Sequence, residues 1–196
     1  MDPRAGVTPS IRNFAQAIDR QRQSLERVPL LDAARADLVD AAVALDQAEA
    51  AALAIFGAGA SEGFAAASRA VSVPVLLADP LAEEYRIYES RAAGADAVML
   101  QGALPQELLA RLLRAASSTH MAGCVVCASA EEVERATAAR APIIAVAPAL
   151  LHVPLAPRTL LLALSFDPSA RGRADAALDS SLRDAAAFRA ALEEEG

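Results

Sequence analysis

Apolar residues along this chain fall into two rhythms that alternate. Short runs with almost no polar interruption, such as "VPVLL" at 73–77 and "GCVVCA" at 123–128, read as strands buried on both faces. Between them lie longer segments such as "ADLVDAAVALDQAEAA" at 36–51, where apolar residues recur at three and four, the spacing of a helix face. The opening segment, residues 8–27, carries Ile11, Phe14, Ala15 and Ile18 at helical spacing behind Thr8 and Pro9, a cap and first-turn pair, and predicts an extra leading helix. Strands are then predicted over 28–34, 52–56, 73–77, 96–101, 123–128 and 141–147. Helices are predicted over 36–51, 62–71 (after the turn "GAGAS"), 82–94, 105–118 and 129–139.

The alternation then falters. "PALLHVPLAP" (148–157) holds three prolines and no room for a regular helix, and "DPSARGRA" (167–174) allows at most one helical turn. Around them stand a seventh strand at 158–166, a weak eighth at 175–181 and a closing helix at 182–195. Eight strand segments in βα order predict a (β/α)8, TIM-barrel-like α/β fold in a single domain, residues 1–196. It is shortened against the ~250 residues usual for such barrels, with the helices after strands six and seven missing or vestigial. An open doubly wound sheet is the competing architecture, but "LLDAARAD" after the first strand has no glycine to cradle a dinucleotide phosphate.

Composition narrows the chemistry. All 18 basic residues are arginine, so Schiff-base catalysis, a P-loop lysine and an ammonium general acid are excluded. A net charge of −7 argues against nucleic acid as partner, since phosphate binding needs a basic face. "MDPRAGVTPS" has no signal-peptide character, and no apolar run reaches the ~20 residues of a membrane span. The expectation is a cytoplasmic protein without membrane contact, cofactor or metal. Cys124 and Cys127 make no disulfide framework; three apart on a strand, they point to opposite faces and serve packing. His120 and His152 have no neighbouring acid in sequence that would make a triad.

The run "VPVLLADPLAEEYRIYESRAAGADAVML" (73–100) resembles the third strand, third helix and fourth strand of the indole-3-glycerol phosphate synthase family, most specifically in Tyr-x-x-Tyr-Glu followed by Arg-Ala-x-Gly-Ala-Asp-Ala. Weaker echoes are "FAQAI", "AEEVERA", "PIIAV" and "ADAAL". The resemblance implies a barrel that closes an indole ring with loss of carbon dioxide and water. A lysine general acid, a glutamate acid/base, further Glu, Lys and Asn groups at strand ends and a Ser/Gly phosphate cup would carry that reaction. Position by position, this set is missing. The lysine falls on Ala78, the fifth-strand glutamate on Val126 and the sixth-strand asparagine on Ala147. A looser first-strand alignment puts the other glutamate on Ala33 and the other lysine on Arg35. Ser-Gly of the cup becomes Ser165 and Phe166, and the eighth-strand glycine falls near Ser180.

A general acid must present a titratable proton within ~3 Å of the leaving group, and neither alanine nor valine carries one. The expectation is therefore a pseudoenzyme. Asp79 is the one acid left at a strand end within the strong match, readable either as a base or as a loop anchor. Ser165, Asp167, Asp179 and Ser180 are weak candidates for lining the mouth, and Tyr85 and Tyr88 belong on the outer layer. With no helix over strands six and seven, an apolar outer face is expected to be bare and to need a covering partner. A homo-oligomer is the default, touching through Ala149, Leu150, Leu151, Val153 and Leu155. The alternative is a mouth that takes a small, mainly apolar metabolite.

Overall fold

The structure, a computed structural model, describes residues 7–57 and 59–195; the remaining residues, including one of the "GAGAS" turn and the start of the predicted 1–196 domain, lie outside the described residues. Strands β1 (Glu26–Asp32), β2 (Leu53–Phe56), β3 (Val75–Leu81), β4 (Ala97–Gln101), β5 (Ala122–Cys127), β6 (Ile143–Val146), β7 (Leu160–Ala163) and β8 (Ala176–Asp179) pair in parallel in chain order. The weak eighth strand does pair with the first, Glu26 with Ala176 through Pro29 with Asp179, so the barrel closes. Helices α2 (Leu38–Gln47), α3 (Glu62–Ala70), α4 (Glu84–Ala92), α5 (Gln106–Ser118) and α6 (Ala130–Ala138) each follow a strand. α7 (Ala185–Glu195) follows β8.

The period-two alternation of every strand sorts two apolar layers. Val28, Ala54, Leu76, Met99, Cys124, Ala145, Leu162 and Leu178 fill the barrel interior. Leu31, Ile55, Leu77, Val98, Val125, Ile144, Leu161 and Ala177 pack outward under the helices. Small alanines inside let eight strands close without an aromatic side chain from the sheet itself. The lower end is instead plugged by Phe14 and Ile18, both fully buried against that interior.

The leading helix is far shorter than its periodicity predicts: α1 covers only Phe14–Ile18. Long-range anchors override local propensity on either side of it. Ser10 N–H donates to the Thr119 carbonyl at 2.9 Å, and Arg12 fixes the backbone below β4. Beyond Ile18, Gln21 and Arg22 take left-handed backbone (φ 50° and 56°) to turn the chain into β1. Asn13, whose side-chain oxygen accepts from Gln16 N–H, is the cap in place of Thr8 and Pro9.

After β6 and β7 stand single 3-10 turns, Pro148–Leu150 and Pro168–Ala170, in place of helices. The bare apolar face expected there does not exist. Ile143 to Val146 and Leu161 to Ala163 are all buried. The proline-rich segment lies over them, Leu151 at 4% exposure and Leu150, Val153 and Leu155 half-buried against the outer core. Prolines forbid a regular helix, yet an irregular segment can still lay its leucines on the sheet.

Candidate functional site at the barrel mouth

In a parallel barrel the strand ends carry the side chains that meet a ligand. Continuing each strand's inward alternation brings one residue per strand to the mouth: Leu30, Phe56, Ala78 and Gln101 from β1 to β4, then Val126, Ala147, Leu164 and Ser180 from β5 to β8 or just past them. Leu30, Ala78, Val126 and Leu164 pack on the interior layer and stay partly open, whereas Phe56 is 36% exposed. None of the eight gives or takes a proton near neutral pH. The carboxylate next above the ring is Asp32, whose Oδ1 accepts from Ala34 N–H at 2.8 Å. Leu30, Phe56, Gln101 and Asp32 are mouth residues that the sequence reading did not single out; counting by twos from Val28 would have found Leu30 and Asp32.

Ala78, Val126 and Ala147 therefore share one mouth, as the family alignment implies. Ala33 does not. One residue past β1, it packs with the outer layer, and Arg35 reaches sideways to Asp37 (2.8 Å) and to the Arg183 carbonyl (2.7 Å). The hydrogen bond with Asp37 raises the Arg35 pKa and holds the Asp37 carboxyl below its usual range. The first-strand alignment is thus corrected by parity: an odd step from Leu30 leaves the barrel.

Asp79 receives backbone N–H groups from Gly57 and Gly59, each at 2.8 Å, and so pins the loop after β2. Both glycines have positive φ (76° and 51°), a backbone that side chains rarely adopt. Of its two readings, the loop anchor is the one these contacts describe. The close fit continues at Gly102, where any Cβ would run into the Val126 carbonyl.

Ser165, Asp179 and Ser180 come together, with Leu30, Leu164 and Phe166, around a hollow of about 290 Å³ between the ends of β7 and β8. It sits where the resemblance implies a phosphate cup, but its electrostatics differ. Arg27 donates to the Asp179 carboxylate from Nε (2.9 Å) and Nη2 (2.7 Å), while Phe166 lies 4.0 Å from that guanidinium. Asp179 also accepts from the Ser181 N–H and hydroxyl. A phenylalanine covers the cation and a carboxylate neutralises it, so nothing here favours a dianion. Asp167 stays outside this hollow, its carboxyl held below the usual range by hydrogen bonds from Ser169.

The other candidates fall away from the mouth. Cys124 faces the interior and Cys127 the outer layer; both are free and buried, and burial pushes both thiols up, Cys127 to about 12. His120 and His152 are exposed, Tyr88 is buried on the inner face of α4, and Tyr85 is solvated. Among the described residues no group of three or more His, Cys, Asp and Glu is placed to hold a metal, and no helix is long and apolar enough to cross a membrane. Two clefts of about 940 and 890 Å³ open at the opposite, N-terminal end of the barrel.

Comparison with known proteins bears on this mouth directly. A family model described as indole-3-glycerol phosphate synthase matches residues 7–152, ending within the proline-rich segment after β6. Similar curated proteins carry the same name. The one from Kineococcus radiotolerans is 42% identical over 89 residues, 45% of this chain and 32% of its own length. That from Rhodococcus jostii is 43% identical over 82 residues (41% and 30%), and that from Endomicrobium trichonymphae 43% over 77 (39% and 30%). Each match spans about a third of the relative. Because the family model covers well over half of a chain that closes as an eight-stranded parallel barrel, this protein belongs to the indole-3-glycerol phosphate synthase family.

Proposed function

We propose that this chain is a catalytically silent member of the family whose mouth binds a small, uncharged, mainly apolar ligand. The observation that carries the reading is the mouth ring, where alanine, valine and leucine stand at five of eight inward positions and no ionisable group stands at any. Ring closure with loss of water and carbon dioxide needs a positioned acid and base, each worth roughly 10²–10⁴-fold. Losing both, together with a cup able to hold phosphate, leaves no route to that reaction. A hollow walled by Leu30, Leu164 and Phe166, with Ser165 and Ser180 as hydrogen-bonding handles, suits a flat apolar molecule with one polar edge.

The test uses a convenience of the composition. The chain has no tryptophan, so the emission of added indole is read against a dark background. Indole should shift its emission to the blue and raise the melting temperature of the protein in a saturable way. The relatives' substrate, offered under the same conditions, should give no indole product. Turnover within about 10²-fold of a named relative would overturn the silent reading; absence of any saturable apolar ligand would overturn the binding one.

An assembly role is the second reading, favoured by the half-buried Leu150, Val153 and Leu155 and the exposed Ala149 on the proline-rich cover. Its sign would be melting that rises with protein concentration. Since the fold already covers β6 and β7, the mouth has the stronger support.

A further inference from the structure

We propose that the N-terminal face of the barrel, opposite the mouth, holds a binding site for a small polyanion in the cleft that Arg114 and Arg140 share. The cleft, about 940 Å³, lies between α5, α6 and the segment around Asn13. Arg114, Arg140, His120 and Ser117 line it, and among the described residues no carboxylate does. In a chain of net charge −7 this is a local reversal of sign. Several other arginines meet carboxylates, as Arg27 does Asp179 and Arg35 does Asp37; what sets Arg114 and Arg140 apart is that they line one cleft together. Arg12, which also lines the cleft, is committed to Asp96 at 2.7 Å. The guanidiniums of Arg114 and Arg140 have no ion pair or hydrogen bond among the described residues.

Helix termini do not account for them. α5 and α6 both end at this cleft, and each C-terminus supplies about half a negative charge. Two guanidiniums against two such ends leave about one unit of positive charge uncompensated. The basic residues also occupy unusual backbone. His120 (φ 59°) and Arg140 (φ 62°) hold the left-handed positions just past these helices, where glycine is the default. At the ends of α2 and α4 the same position is Glu49 and Gly94, so the basic choice is local to this cleft. Two planar forks with an imidazole beside them fit a ligand with two anionic groups close together, a phosphoryl compound or a polycarboxylate. Ala110, Leu113 and Met121 form an apolar floor for its carbon frame.

The experiment titrates the full chain with inorganic pyrophosphate and, separately, with citrate, at ionic strength held constant with sodium chloride, by calorimetry and thermal shift. Saturable binding of one or both is expected, pyrophosphate alone identifying a phosphoryl ligand and citrate alone a carboxylate. In Arg114→Gln/Arg140→Gln the affinity should fall at least about tenfold, while the unliganded melting temperature stays within roughly 2 °C, both side chains being exposed and unpaired. No saturable binding by either anion, or equal binding by the double variant, overturns the site. So does a salt-sensitive dimer that the double variant abolishes without any anion binding, which would give the cleft to the acidic end of α7 in a second copy. Indole binding at the mouth is independent of every arm.

Discussion

Arg12 should be among the costliest single residues to remove, although it lies 66 positions from Ala78, the mouth residue of the strong family match. Its Nε meets Asp96 Oδ2 at 2.7 Å. Nη1 donates to the Ser68 and Val71 carbonyls (3.0 Å each), and Nη2 to the Ser68 hydroxyl (2.8 Å) and Gly94 carbonyl (3.1 Å). One guanidinium thus ties the leading segment to the end of α3 and to the turn between α4 and β4. In Arg12→Met the Ser68 and Val71 carbonyls lose this donor, at roughly 1–3 kcal/mol for each group left unsatisfied. Asp96 is partly protected, because Arg91 (3.0 Å), Ser10 (2.5 Å) and the Val75 N–H (2.9 Å) still reach it. The loss therefore belongs near the lower end of the 3–5 kcal/mol for a broken buried pair, about 3–4 kcal/mol. For a domain of this size that is a fall of roughly 6–16 °C in melting temperature.

Urea unfolding followed by far-ultraviolet circular dichroism measures the free-energy loss, and its slope shows whether the unit that unfolds is still the whole chain. Arg12→Lys separates the two contributions: the ammonium keeps its attraction to Asp96 but cannot span four further acceptors, so it should recover less than half of the loss. A Met variant that loses under about 1 kcal/mol would refute the hub. A normal midpoint with a smaller slope would show that only the leading segment, with its plug of Phe14 and Ile18, had undocked.

Asp79→Ala should cost about 1–2 kcal/mol by freeing the Gly57 and Gly59 N–H groups, and should leave indole affinity at the mouth unchanged; a large loss of affinity at unchanged stability would return Asp79 to the candidate site. Leu151→Ala should cost about 2–4 kcal/mol in unfolding measurements, because the segment covers the chain's own sheet, whereas a loss below about 0.5 kcal/mol would mean that this leucine awaits a partner. Both thiols should resist Ellman's reagent at pH 8 in the native state. They also set an alkaline slope: unfolded thiols ionise near 9 while the buried ones stay protonated, Cys127 up to about 12, so the native state holds more protons and stability falls as pH rises from 9 toward 12, by about 1.4 kcal/mol per pH unit for each thiol. Cys124→Ala/Cys127→Ala should flatten that slope. Ala78→Lys, set among Leu30, Val126 and Leu164, should lower stability by about 1–3 kcal/mol and yield no indole synthesis.

Local pattern made much of this molecule readable, and its failures have a common cause. Alternation along "CVVC" places Cys124 inside and Cys127 outside because parity is a property of the strand alone. The leading helix is misread because Arg12 and Asp96 are brought together by closure of the fold, which no window of neighbouring residues records. Periodicity likewise has nothing to say of "PALLHVPLAP", whose leucines cover β6 and β7 from an irregular backbone. The slip at β1 is different in kind. Aligning Ala33 and Arg35 by likeness of sequence ignored the strand's own parity, which was already available from Val28 and Leu30.

The two ends of the barrel carry different structural duties. At the lower end Asp96 takes the Val75 N–H and Asp175 takes the Leu161 N–H, both at 2.8–2.9 Å and both nearly buried. Each caps the start of a strand, so losing either would leave a backbone donor unsatisfied in the core. The mouth has no such duty. Its ring residues lie past the last full interior layer, and their side chains bond no strand. Clustered active-site charges cost stability through mutual repulsion and desolvation, so under the proposed silent reading Ala78, Val126 and Ala147 in their place would relieve the fold rather than weaken it. Chemistry at a barrel mouth can therefore be lost one residue at a time without unfolding the chain, whereas the Arg12–Asp96 pair and Asp175, each holding a strand start, have to stay. If the proposed function holds, a family barrel that keeps its floor and not its acid and base is the outcome this asymmetry favours.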